Sequence, residues 1–133
     1  MGSLISMAAN AQPIKEANVP AAVKATLRQQ YPMAATVGWE KEKGNFEANW
    51  GGASKEDTSV LYTPAGVFVE VVVAIPVGQL PAQVAAYVHA QYPGAKIKEA
   101  GRVTTTDGRT RYEAEVKGKD LLFDDKGNFL RVD

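Results

Sequence analysis

The sequence repeats itself. Val19-Pro20-Ala21-Ala22-Val23 returns as Leu80-Pro81-Ala82-Gln83-Val84, and Gln30-Tyr31-Pro32-Met33-Ala34 returns as Gln91-Tyr92-Pro93-Gly94-Ala95, both 61 residues later. Eight of the sixteen residues from 19 to 34 are identical to their partners. Leu61-Tyr62-Thr63-Pro64-Ala65-Gly66-Val67-Phe68 stands at the same offset from Leu122-Phe123-Asp124-Asp125-Lys126-Gly127-Asn128-Phe129. Only the middle slips: Phe46-Glu47-Ala48-Asn49-Trp50 matches Tyr112-Glu113-Ala114-Glu115-Val116 at offset 66. The first hairpin loop is therefore longer in the second unit, and the next connection is shorter by the same amount. Length changes confined to loops are what a duplicated supersecondary unit shows.

Each unit opens with a helix. Pro20 and Pro81 suit a first helical position, where a missing N–H costs nothing. Val23, Leu27 and Tyr31, like Val84, Val88 and Tyr92, recur every four residues and make one apolar stripe. Pro32 and Pro93 end the helices, because the residue before proline avoids the α region. Strands are expected over 35–43, 45–51, 57–63 and 66–74, and again over 95–104, 109–117, 119–124 and 127–132. Lys43-Gly44-Asn45, Thr106-Asp107-Gly108 and the corners at Gly66 and Gly127 supply the turns. In Asp124-Asp125-Lys126-Gly127 a type I turn precedes a left-handed glycine, which sets Phe123 opposite Phe129 and, in the first unit, Tyr62 opposite Phe68. The expected fold is α+β: tandem helix-plus-four-strand repeats forming one antiparallel, curved sheet of about eight strands, with two helices on one face. Residues 17–133 form a single domain of two repeats, 17–76 and 77–133.

Fifteen basic residues balance fifteen acidic ones, and basic residues never run beyond two. No single-signed field is available for nucleic acid or an anionic membrane. The chain has no cysteine, which excludes disulfides, thiolate nucleophiles and zinc thiolate sites. No apolar run is long enough to span a membrane. Leu4-Ile5-Ser6-Met7-Ala8-Ala9-Asn10-Ala11 is small and apolar, and Ala9-Asn10-Ala11 fits a small-x-small cleavage site before Gln12. Residues 1–16 are accordingly expected to be a signal-peptide remnant or tag that packs poorly, and the protein is expected to be periplasmic or secreted.

Chemistry-bearing constellations are few. His89, the single histidine, stands where Arg28 stands in the first unit, on the polar side of its helix. Glu113 and Glu115 share a strand face, but no pocket is implied around them. Asp124-Asp125-Lys126-Gly127-Asn128 lacks the downstream bidentate glutamate of a calcium loop and is accounted for by its turn. No catalytic residue, cofactor site or metal site is expected.

The last hairpin of each unit has two faces by period-two alternation. Leu61, Val69, Val71 and Val73, with Leu122, Leu130 and Val132, form an aliphatic set assigned to the helix-covered core. Val60, Tyr62, Phe68, Glu70 and Val72, with Leu121, Phe123, Phe129 and Arg131, mix aromatics with charge and are assigned to the open face. In the middle strands Phe46, Ala48 and Trp50, with Tyr112, Ala114 and Val116, read as core. Glu47 and Asn49, with Glu113 and Glu115, read as open. Trp39 reads as core or partly buried. The candidate partner-binding face is therefore Glu47, Asn49, Tyr62, Phe68, Glu70, Glu113, Glu115, Phe123, Phe129 and Arg131, an aromatic patch with a charged rim. A slip of one residue inverts any such assignment, and aromatics beside a hairpin turn also serve simply to hold the hairpin.

Val19-Pro20-Ala21-Ala22-Val23, Gln30-Tyr31-Pro32, Trp39-Glu40, Leu80-Pro81, Tyr92-Pro93-Gly94-Ala95-Lys96-Ile97, Tyr112-Glu113-Ala114-Glu115-Val116 and Leu121-Leu122-Phe123-Asp124-Asp125-Lys126-Gly127 together resemble the PepSY-like family of bacterial envelope proteins, which are β-lactamase-inhibitor-like. The resemblance runs over residues 17–132. It implies export and a concave sheet built from two repeats, the face with which β-lactamase inhibitor proteins hold their enzyme. Those inhibitors carry disulfides and this chain has none, and no contact residue of theirs is matched. The resemblance implies a non-enzymatic exported binding protein, possible as a hydrolase or peptidase inhibitor, with another protein as partner. A small-ligand carrier or sensor of the envelope is the alternative.

Overall fold

A computed structural model describes residues 11–53 and 55–133. After a short strand β1 (Gln12–Pro13), the first repeat holds helix α1 (Ala21–Gln30) and strands β2 (Gly38–Glu42), β3 (Asn45–Trp50), β4 (Thr58–Tyr62) and β5 (Phe68–Ile75). The second holds α2 (Ala82–Gln91) and β6 (Glu99–Thr105), β7 (Thr110–Val116), β8 (Lys119–Phe123) and β9 (Phe129–Val132). Every strand pairs antiparallel with the next in sequence, giving one nine-stranded meander. Both expected helices and all eight expected strands are present, with ends trimmed by a few residues. The ninth strand is β1. Residues 1–10 lie outside the described residues, so the expectation for 1–16 meets the structure only from residue 11. There it is corrected: Gln12 and Pro13 pair with Lys41 and Glu40, the Ile14 amide donates to the Trp39 carbonyl at 3.0 Å, and Ile14 packs on the core.

Pro20 and Pro81 stand one residue outside the helices, as N-caps whose carbonyls accept the first helical bonds from Val23 and Val84. Tyr31 and Tyr92 close the helices by donating to Leu27 and Val88 at 2.7 and 2.8 Å. Each helix buries its stripe in a core of its own repeat. Val23 and Leu27 meet Trp39, Phe46, Val60 and Tyr62. Val84 and Val88 meet Val116, Leu121 and Phe123. Trp39 is buried in the first core, opposite Ala48, and Ala100 takes the same register opposite Ala114. The second core instead receives Tyr87, whose ring stacks on Phe129 at 4.5 Å and meets Phe123 edge-on at 5.6 Å.

The face assignment of the last hairpins is corrected. Tyr62, Phe68, Phe123 and Phe129 lie under the helices, as do Val60 and Leu121, while Leu61 and Leu122 face the helix-free side. The register compels this. Phe46 is paired with Tyr62, and Tyr112 with Phe123, and directly paired residues share a face. A bulge then adds Val69 between the pairs Leu61–Glu70 and Tyr62–Phe68, and another adds Leu130 between Leu122–Arg131 and Phe123–Phe129. One extra residue breaks the alternation. Phe68 and Val71 therefore share the helix side while Glu70 and Arg131 stay on the other.

The corner glycines after β4 and β8 carry the helices. Gly66 has φ +83°, and a Cβ there would come within 2.6 Å of the Ala22 carbonyl oxygen. Gly127 has φ +92°, and a Cβ there would come within 2.9 Å of the Gln83 Cβ. Each corner thus seats the first turn of its helix, and in the first repeat Thr26 Oγ1 reinforces it by donating to the Gly66 carbonyl at 2.8 Å. Gly44 has a similar φ of +84° with nothing nearby. Gly44→Ala should cost about 1–2 kcal/mol, the left-handed penalty alone. Gly66→Ala should cost about 1–3 kcal/mol more through the clash. Urea unfolding measures both, and equal losses would show that the corner does not seat the helix.

Candidate functional site on the helix-free face

Alternation along the strands sends Glu40, Glu42, Glu47 and Asn49 to the side away from the helices, followed by Ser59, Leu61, Glu70 and Val72. The second repeat adds Glu99, Val103, Arg111, Glu113 and Glu115, then Asp120, Leu122 and Arg131. Of the ten residues expected to form a partner face, Glu47, Asn49, Glu70, Glu113, Glu115 and Arg131 are here. The four aromatics are not. Tyr62 and Phe123 are fully buried, and the Tyr62 hydroxyl donates to Gln30 Oε1 at 2.9 Å. The face is acidic rather than aromatic. Val72, Val103 and Leu122 form a small buried apolar floor within it.

The sheet curls toward this face. Glu42 on β2 is repelled by Glu70 on β5 and by Asp133, just beyond β9. In a flat sheet, strands seven places apart would lie roughly 30 Å from one another at ~4.8 Å per step. Charges that far apart do not sense each other across a screening length of about 8–10 Å. The face is therefore concave, and its carboxylates converge.

Burial, and then convergence, favours the protonated form of several of these acids. Burial pushes Glu113 up to about 9, helped by the charges of Asp120, Asp133, Glu70 and Glu42. Burial and then a hydrogen bond shared with Glu40, its directly paired neighbour, push Glu47 well above the carboxylate range. Glu42 rises to about 7, through burial and then Glu70, and Asp120 to about 7, through burial and then Glu115. Glu70 and Glu99 are also raised, chiefly by burial. Glu42 Oε2, Glu47 Oε2 and Glu113 Oε1 are buried without a hydrogen-bond partner.

A cavity of about 210 Å³ opens at the centre of the acidic field. Glu70, Thr105, Arg111, Glu113, Arg131 and Asp133 line it, with Val103 and Leu122 as its apolar wall. Arg131 Nε donates to Asp133 Oδ1 at 2.9 Å, and Arg111 Nη1 to Thr105 Oγ1 at 3.1 Å. Elsewhere on the face Ser59 Oγ donates to Asn49 Oδ1 at 2.6 Å. Among the described residues no group of three or more histidine, aspartate and glutamate side chains is placed to hold a metal ion. The Asp124 carboxylate is spent on its own turn, accepting from the Lys126 and Asn128 amides at 2.9 and 2.8 Å. His89 is exposed on the last turn of α2. No described helix is long and apolar enough to cross a membrane.

Sequence reading missed Glu40, Glu42, Glu99, Asp120 and Asp133 as members of this face. The signal was available: pairing across the turn at Lys43-Gly44 puts Glu40 opposite Glu47, and pairing across Lys117-Gly118 puts Asp120 opposite Glu115.

The raised acids set the pH dependence of stability. Below about pH 4.5 both folded and unfolded chains hold the Glu113 proton, and its contribution is fully present. Above that the unfolded chain releases a proton that the fold retains, so stability is lost progressively until Glu113 itself ionises near 9. Each retained proton is worth up to about 1.4 kcal/mol per pH unit. Wild type should therefore lose stability from pH 5 to 9, and Glu113→Gln should have a shallower slope over that range. Denaturation at several pH values measures it. Identical slopes would show that Glu113 is ionised in the fold.

The PepSY-like family model, described as "Putative beta-lactamase-inhibitor-like, PepSY-like", matches the chain twice, over residues 5–70 and 54–131. No curated protein matches the sequence. Among solved structures, one described as a putative periplasmic protein from Bacteroides eggerthii is 22% identical, with a TM-score of 0.72 over 86% of this chain and 88% of its own. A DUF2874 family protein from Bacteroides uniformis gives 22%, 0.70 and the same coverage. A BLIP-like protein from Bacteroides fragilis gives 21% and 0.63, over 86% of this chain and 85% of its own. These likenesses are of fold. The two matches overlap over residues 54–70 and together span residues 5–131, and the chain belongs to the PepSY-like, β-lactamase-inhibitor-like family.

Proposed function

We propose that this chain is an exported, non-enzymatic binding protein whose partner, another protein, docks on the concave face of the sheet. The observation that carries the reading is the convergence of buried carboxylates, several with unsatisfied oxygens, on the one face that no helix covers. Such groups cost stability where they stand, and perturbed acids gathered in a cleft mark functional sites. The face offers charge for recognition and no base set against a nucleophile: Ser59 is bonded to Asn49 and His89 lies on a helix. Export is supported by the small apolar run at residues 4–11 and by relatives described as periplasmic. Inhibition of a hydrolase or peptidase is the form of binding that the family's description suggests.

Tyr62 and Phe123 are core residues, so their truncation would report on folding. The test is a capture experiment from periplasmic extract with wild type and the Glu70→Lys/Glu113→Gln double variant, both confirmed folded by circular dichroism. Partner recovery should fall by about tenfold or more in the variant, the usual cost of losing buried charged contacts. Equal recovery would remove the concave face as the binding surface.

A further inference from the structure

The central cavity has an unmatched carboxyl group. Glu70, Glu113 and Asp133 bring three carboxyl groups to it, and Arg111 and Arg131 bring two guanidinium groups. Both arginines already have partners: Arg131 bonds Asp133, and Arg111 bonds Thr105 and lies 4.0 Å from Asp107. That leaves Glu70 and, more deeply buried, Glu113. Glu113 is 3% exposed, and its Oε1 has no hydrogen-bond partner. The equivalent acid in the first repeat, Glu47, also has one unpartnered oxygen, Oε2, but its carboxyl has Glu40 and Asn49 as hydrogen-bond partners. Glu113 has Gly101 where Glu47 has Glu40, so its paired residue on β6 offers it no side-chain partner, and its carboxyl lines the cavity instead.

Resting on the reading that this face binds a protein, we infer that the cavity between Glu70, Glu113 and Asp133 receives the guanidinium of an arginine side chain from the partner. A third guanidinium completes the charge balance of three against three. Its planar fork can bond Glu113 and Glu70 together, which a compact ammonium does less well. Val103 and Leu122 give its alkyl stem an apolar wall. An anion would meet the carboxylate excess, and an apolar ligand would leave the polar lining unsatisfied. Binding carries a proton balance. Glu113 is held protonated by burial and by Asp120 on β8, Asp133 beyond β9, Glu70 on β5 and Glu42 on β2, with Arg111 and Arg131 nearby on β7 and β9. Entry of the cation ionises it, and up to one proton leaves to solvent.

The probe is n-butylguanidinium chloride, with n-butylammonium chloride and calcium chloride as comparison arms, titrated at pH 8 into the whole chain. Carboxyl carbon NMR follows Glu113, and calorimetry in two buffers of different ionisation enthalpy counts protons. Butylguanidinium should move the Glu113 resonance to its ionised position and release up to one proton. It should bind at least about threefold more tightly than butylammonium. Glu113→Gln should weaken it about tenfold, and Glu16→Gln, exposed ahead of α1 and off this face, should leave it within about twofold. An unmoved Glu113 resonance, unchanged affinity in Glu113→Gln, or equal or tighter binding of calcium at Glu113 each overturns the inference. Failure here with partner capture still lost in the Glu70→Lys/Glu113→Gln variant leaves the protein-binding reading standing. Equal capture removes both.

Discussion

The seating of each helix on the corner glycine of its own repeat is the constraint from which the rest of the structure follows. Gly66 and Gly127 leave no room for a side chain because the first turns of α1 and α2 lie against them. That contact ties the start of a repeat to its last hairpin and decides which side of the sheet is covered. The bulges at Val69 and Leu130 act at the same corners, turning both aromatics of each hairpin, Tyr62 with Phe68 and Phe123 with Phe129, under the helix. With the aromatics spent on the core, the opposite face is left to short aliphatic and acidic side chains.

The architecture was legible in the sequence because its signals are local and doubled. Proline before each helix, Tyr-Pro after it and glycine at the corners sit at one offset, and each copy corroborates the other. The faces of the last hairpins were not legible from alternation alone. A bulge adds one residue, and period-two reading carried across it inverts everything beyond. Cross-strand pairing would have corrected it, since Phe46 in the core requires Tyr62 in the core. Strand β1 was missed for a different reason: two residues, one of them proline, carry no periodic signal, and only the edge of β2 makes them a strand. The acidic character of the site was half visible in Glu47, Glu70, Glu113 and Glu115. Its convergence was not, because curvature across the ladder is a property of the whole sheet.

That curvature turns ordinary strand carboxylates into a site. On a flat exposed sheet, Glu42, Glu70 and Asp133 would be solvated and independent. In the curled sheet burial raises Glu42, Glu70 and Glu113, and the charges of their neighbours raise them further, so the face holds protons that an unfolded chain would release. The fold accommodates this because its two larger apolar cores lie on the other side, where Val23, Tyr62, Val84 and Phe123 are sealed. On the proposed function, stability and recognition are carried mainly by opposite faces of the same strands.

Duplication alone would give a face that repeats itself along the sheet, and the copies have parted in a way that breaks the repetition. Glu47 and Glu113 are equivalent, as are Leu61 and Leu122, and both pairs keep their places in the register. Around them the equivalents differ: Asn49 against Glu115, Ser59 against Asp120, Glu70 against Arg131, Val72 against Asp133. In the first repeat the neutral pair Asn49 and Ser59 satisfies itself with a 2.6 Å hydrogen bond. In the second, Glu115 faces Asp120, whose carboxyl is raised by burial and then by the Glu115 charge. Glu40 is a hydrogen-bond partner for Glu47, whereas Glu113 is paired with Gly101 and lines the cavity. The same scaffold therefore gives the two copies of the buried acid different surroundings. On the proposed function, a partner approaching the concave face would meet one anchor point at Glu113 rather than two equivalent ones, and asymmetry of that kind would fix one docking orientation.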